Sequence, residues 1–211
     1  MAPLTYPAAP PPTYERVVEQ EFHAGREGAP SAVPAKAYSV VEFWQQAGPS
    51  KWFAKDAEFD RQFRERLLST HEAAARGELD SWLATPYGAL ALILLLDQFP
   101  RNAFRGTVRM YATDERARAA AAKAIDAGHD RAVSKELRLF VYLPFGHSET
   151  LADQERSVAL AEGLGEPDLS HAKRHRDIIR RFGRFPHRNP ILGRDMTADE
   201  QRYLDEGGYA G

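Results

Sequence analysis

Three stretches of this chain fall from an apolar run directly into a cluster of ionisable side chains, and each is a place where chemistry could be done. The first is Asp97-Gln98-Phe99-Pro100-Arg101-Asn102, followed by Arg105-Gly106. Asp97 is expected at the carbonyl end of the most apolar helix, where an anion is disfavoured. A cation must therefore accompany it, and Arg101 and Arg105 lie within reach along the chain. Such a pair is either a buried clamp that fixes a chain reversal after Pro100 or a working carboxylate.

The second stretch is Tyr142-Leu143-Pro144-Phe145-Gly146-His147-Ser148-Glu149, with Asp153-Gln154 beyond it. Leu151, Val158 and Ala161 make a core-facing stripe that Gln154 shares, and a glutamine there must hydrogen-bond inside the protein. His147 precedes a helix N-terminus, whose positive end lowers an imidazole's pKa or holds an anion. Glu149 either works with His147 or only satisfies the helix dipole.

The third stretch runs from His175 to Asn189 and includes Arg184, His187 and Arg188. Ala172, His175, Ile179 and Phe182 share one helix face, so His175 points inward. Between His171 and Arg194 stand eight Lys/Arg and one Asp, a charge of +7, so the rest of the chain carries −9 to reach the total of −2. The segment therefore either attracts an anionic ligand or docks on the acidic remainder of the chain.

These residues define a candidate site. Asp97, Arg101, Asn102, Arg105, Gln154, Arg184 and Arg188 are the ligand-binding candidates, and of these Arg101, Arg184 and Arg188 would hold an anionic group, since guanidinium forks suit carboxylate and phosphate. His147 or His187 would be the general acid or base, oriented by Glu149 or Asp97, which makes His147, Glu149 and His187 the catalytic candidates. His147, Glu149 and His187 could also be drawn as a two-histidine, one-carboxylate metal set, and His171 with His175 as an i, i+4 pair. Neither has a clustered metal signature, so no metal and no cofactor is expected. Ser148 lies beside His147 without a G-x-S-x-G elbow, and no phosphate-cradling glycine loop is present.

The elements that must position these groups read as helices. Asp56 opens a run with Phe59, Phe63 and Leu67 at helical spacing. Thr85-Pro86 starts an apolar helix ending near Gln98. Thr113 opens an alanine-rich helix that Gly128 stops. Further helices begin at Ser134 (ending at Pro144), at Ser148 (reaching Glu162) and at Asp168 or Ser170 (stopped at Gly183). Ser39 with Glu42, and Thr197 with Glu200, spell capping boxes. No segment alternates like a strand, so the expectation is an all-α fold of about eight helices over residues 38–211. Residues 1–37 carry Pro-Ala-Ala-Pro-Pro-Pro and read as a flexible arm, interrupted at most by one short helix around Tyr14 to His23.

Composition narrows the function classes. With 211 residues, 43% hydrophobic and 27% charged, the chain can bury a sizeable core. It has no cysteine, which excludes disulfides, thiolate metal sites and a cysteine nucleophile. The first residues show no basic and apolar leader pattern, and the longest apolar run, 89–96, is too short to span a bilayer. A cytoplasmic protein with no membrane partner is expected. Nucleic acid is not, because the basic segment lacks exposed interleaved aromatics.

At the phrases quoted above, and at Phe43-Trp44, Lys51-Trp52-Phe53 and Asp60, the chain resembles the bacterial family catalogued as domain of unknown function 924 (DUF924), over about 40–204. The resemblance implies an all-α fold related to tetratricopeptide-repeat-like (TPR-like) helical arrays and no particular activity. Gly146 stands where a bulkier residue such as methionine is expected, which opens space beside His147. His171 lies outside the family pattern, and the proline-rich arm lies outside the family domain. Two functional expectations follow: an anionic small-molecule site, possible as a catalytic one, and a non-catalytic module that grips a protein or peptide in a concave groove.

Overall fold

The computed structural model describes residues 34–211, and the expectations for an arm and for a helix around Tyr14 to His23 fall on residues outside that range. Every regular element among the described residues is helical. The longer ones are α1 (Ala35–Ala47), α2 (Ala57–Ala75), α3 (Pro86–Ile93), α4 (Phe99–Ala103), α5 (Asp114–Asp126), α6 (Lys135–Gly146), α7 (Leu151–Glu162), α8 (Asp168–Phe182) and α9 (Ala198–Asp205). None of the described helices is long and apolar enough to cross a membrane.

α3 is the axis of the fold. Every residue from Tyr87 to Ile93 is buried, and α1, α5 and α6 pack around it. Gly88 lets the preceding turn, Asp80–Ala84, fold back against α3, because a Cβ there would meet the Trp82 carbonyl oxygen at 2.3 Å. Beside α3, Trp44, Trp52, Phe53 and Phe140 stack in edge and face contacts. α6, α7 and α8 follow as successive antiparallel neighbours, with α7 between the other two.

Local punctuation succeeds in several places. The Asp56 side chain accepts from the Glu58 and Phe59 amides, Thr85 accepts from Gly88, and Thr197 with Glu200 closes a reciprocal capping box. Gly183 ends α8 in a left-handed conformation.

Other expectations are corrected. α1 starts at Ala35, so Ser39 is inside it, donating to the Ala35 carbonyl rather than capping. α6 passes through Pro144 to Gly146, because buried Phe140, Val141 and Phe145 anchor both sides of the proline. α7 begins at Leu151 rather than Ser148; its first residue, Leu151, is exposed, and Gln154 takes the inward place instead.

The chain does not reverse at Pro100 either. A π-helical turn, Leu94–Gln98, joins α3 to α4. Proline has no N–H to give a preceding carbonyl, and the widened turn leaves several carbonyls for side chains. Leu95 O lies 2.8 Å from His71 Nδ1, Leu96 O accepts from the Thr113 hydroxyl at 2.6 Å, and Asp97 O accepts from Arg101 at 2.8 Å. This turn carries Asp97 into the interior.

Candidate functional site

Asp97 has no exposed surface, and its carboxylate is answered from three directions. His147 Nδ1 lies 2.8 Å from Oδ1, Arg101 Nη1 lies 3.2 Å from the same oxygen, and Gln98 donates to Oδ2 at 2.7 Å. Burial alone would raise the carboxyl's pKa. The charge of Arg101, with the His147 and Gln98 contacts, overrides it and holds the group at about 2. An ionised Asp97 only accepts, so His147 carries its proton on Nδ1. Nε2 then has no hydrogen bond among the described residues and is left as a base. Burial and the nearby Arg101 charge lower the imidazole's pKa and keep it neutral.

The loop holding His147 is itself bracketed. Gln154 is fully buried and donates to the Gly146 and Ser148 carbonyls at 2.8 and 2.6 Å. Ser148 donates to Asp153 at 2.6 Å and accepts from the Thr150 amide. His147 thus sits on a rigid hook, with Gln154 positioning it from outside the site.

Arg101 continues the network. It forms a two-pronged contact with Asp114, at 2.9 and 3.1 Å. Arg188 approaches Asp114 at only 3.9 Å, an ion-pair distance without a hydrogen bond. Its one hydrogen bond among the described residues runs from Nη2 to the His147 carbonyl at 2.9 Å. The guanidinium is held between the Tyr111 and Phe185 rings, 4.7 and 4.5 Å from their centroids.

These groups face one cavity of about 820 Å³, within the size range of small-molecule sites. Arg101, His147, His175, His187 and Arg188 all line it. His175 lies with Nδ1 3.2 Å from the Gly146 carbonyl. Burial, and then neighbouring positive charge, depresses His175 to about 3 and His187 to about 4. Tyr209 closes over both imidazoles, with ring centroids 4.6 Å from His175 and 5.2 Å from His187.

Several expected site residues lie elsewhere. Glu149 does not orient a histidine: it accepts from the Phe185 amide at 2.8 Å and from Arg194 at 2.7 and 3.0 Å. Arg184 is clasped by Glu200 at 2.6 and 2.9 Å and by the Asp195 carbonyl. The partners come from far along the chain, Arg194 lying 45 positions after Glu149 and Glu200 lying 16 after Arg184 in the first turn of α9. Asn102 and Arg105 line the cavity but donate to Asp60 rather than standing free.

The +7 segment is largely neutralised by the rest of the chain, through Arg180 with Glu155, Arg181 with Asp199, Arg184 with Glu200 and Arg194 with Glu149. Among the described residues no three His, Cys, Asp or Glu side chains are grouped to hold a metal ion, and the drawn set of His147, Glu149 and His187 is split by the Glu149–Arg194 pair. Sequence reasoning missed Tyr111, Asp114 and Tyr209. Asp114 stands in the first turn of α5, where an acid is ordinary, and nothing in the pattern of Tyr111 or Tyr209 marked them.

Comparisons agree with this architecture. No curated protein matches the chain. A solved structure of a protein of unknown function from Agrobacterium tumefaciens is 58% identical, covers 82% of this chain and 98% of its own, and superposes with a TM-score of 0.81. The model of the family described as "Bacterial protein of unknown function (DUF924)" matches residues 40–208. The chain belongs to that family.

Proposed function

We propose that the cavity binds a small organic anion on Arg188 and that His147, oriented by Asp97, moves a proton on the bound molecule. The observation that carries this reading is the state of Arg188. It is 7% exposed, yet only one of its N–H groups makes a hydrogen bond among the described residues. A guanidinium has five N–H donors, and a buried charge with unused donors is costly. Proteins retain such a group where a ligand completes it. Neutral His147 then presents Nε2 as a general base from the same wall.

The test is a thermal-shift and calorimetry screen of carboxylates and phosphates on the wild-type protein, Arg188→Lys and His147→Gln. A ligand that stabilises the wild type, binds Arg188→Lys at least tenfold more weakly and still binds His147→Gln supports the assignment. If no anion binds, or Arg188→Lys binds equally well, the reading fails. The search then returns to a peptide partner on the helical array.

A further inference from the structure

Resting on the anion-site reading, we infer that the ligand is amphipathic: a carboxylate with an extended apolar body, headed at Arg188 and lying along α6 toward Trp52 and Phe53. The cavity's lining changes character along that helix. Gly146 and His147 line one end, Tyr142 and Leu143 the middle, and Leu139 the other. Eight residues at 1.5 Å rise make this run about 12 Å long.

The facing helices keep the same order. A Cβ on Gly146 would lie 3.1 Å from Ser157 Oγ and 3.8 Å from His175 Nδ1, which places Ser157 and His175 at the polar end. α7 runs antiparallel to α6 and α8 parallel to it, so Ala161 and Ala172 fall opposite the middle, and Leu164 opposite Leu139. On the third wall Arg101 reaches Asp97, which holds His147, whereas Arg105 is engaged by the Ala54 carbonyl and by Asp60.

Among the described residues, the two guanidinium groups that meet Asp114 are both at the polar end. The rest of the wall along α6 includes Leu139, Leu143, Leu164, Ala161, Ala172 and the Trp52 ring, with Tyr142, Asp168 and His171 beside them, and its apolar part gains from covering hydrocarbon. At the mouth, Phe53 is 63% exposed and stacks on Phe140 at 6.0 Å, a ring held ready to cover the far end of a chain.

The experiment is isothermal titration of the full chain with unbranched carboxylates from acetate to dodecanoate, with octylamine and octanol as head-group controls. Affinity should rise by up to about fourfold per methylene and level off when the body fills a length of roughly nine carbon–carbon bonds. Octylamine should fail to bind, and Arg188→Met should lose at least tenfold for octanoate.

Leu143→Trp, which blocks the middle of the run, should move the levelling point to shorter acids and leave acetate unchanged. Leu139→Trp repeats that test if Leu143→Trp does not fold, as judged by urea midpoint. Affinity independent of chain length, or a series that Leu143→Trp and Leu139→Trp do not shorten, overturns the amphipathic ligand while the anion site stands if phosphate or acetate binding still depends on Arg188. Failure of every anion, short or long, overturns both.

Discussion

Two arginine clusters stand side by side in this protein, built from the same residue types and ending differently. Around Arg184 and Arg194 each guanidinium meets a carboxylate head-on, and the carboxylates' remaining capacity goes to the Thr197 and Phe185 amides. That cluster is closed except at Arg194 Nε, which is buried without an acceptor among the described residues. Around Arg101 and Arg188, two guanidiniums share Asp114 while Asp97 is given to His147, and Arg188 keeps donors that nothing among the described residues accepts. That cluster is open and faces a cavity. Saturation, rather than the presence of charge, separates a structural lock from a site waiting for a ligand.

Acid should separate the two clusters most strongly. The open one buries neutral His175 and His187, depressed by burial to about 3 and about 4. The unfolded chain takes up these protons near pH 6.5, whereas the folded chain refuses them until about pH 4 or below. Stability is therefore complete above pH 6.5 and falls as pH drops through that window, by at most about 1.4 kcal/mol per histidine per pH unit.

The closed cluster responds later. Its hydrogen bonds to Arg184 hold Glu200 at about 2 against the burial that would raise it, so its contribution is lost only as pH falls below the ordinary glutamate range. Urea unfolding of wild type, His175→Phe and His187→Gln from pH 7 to pH 4 checks this (pH values chosen to bracket the ordinary histidine and carboxylate ranges). Each variant should show a shallower slope than the wild type, and identical slopes would refute the assignment.

Removing one carboxylate from each cluster is the next contrast. Asp97→Ala leaves Arg101 and His147 without their buried partner and should cost about 3–5 kcal/mol in urea unfolding. Glu149→Ala frees Arg194 and orphans the Phe185 amide in a half-buried place, for about 1–3 kcal/mol. Glu149→Ala should also leave ligand affinity unaltered, since Glu149 does not line the cavity. A larger loss at Glu149 than at Asp97 would reverse the ranking of the two clusters.

Much of the helical order was legible locally, because caps act within one turn: Asp56, Thr85, Gly183 and the Thr197–Glu200 pair need nothing distant. Ser39, Pro144 and Ser148 misled, because burial of Val40, Phe140 and Gln154 decides those boundaries from across the fold. In the site, Arg101, His147, His187 and Arg188 stood out by type and by their position after apolar runs.

Which cations were already spoken for was not legible. That depends on pairings such as Asp97 with His147 and Glu149 with Arg194, which join residues some fifty and forty-five positions apart. The apolar half of the cavity was equally hidden, since nothing in the spacing of Leu139 and Leu164 separates a cavity wall from ordinary core.

Gly146→Ala gives the smallest effect on stability and the finest test of openness. The new Cβ would sit 3.1 Å from Ser157 Oγ and 3.8 Å from His175 Nδ1. The first contact requires the serine to yield by a few tenths of an ångström, which one rotatable hydroxyl can do. Exchanging glycine for alanine inside a helix gains roughly 0.5–1 kcal/mol, so the two terms nearly cancel and the urea midpoint should scarcely move. The methyl group, however, enters the cavity where its polar end begins. Affinity for an anion held on Arg188 should fall while stability does not, and in the closed cluster no substitution should show that split. A Gly146→Ala protein that binds as tightly as the wild type would mean that the ligand does not pass the His147 hook.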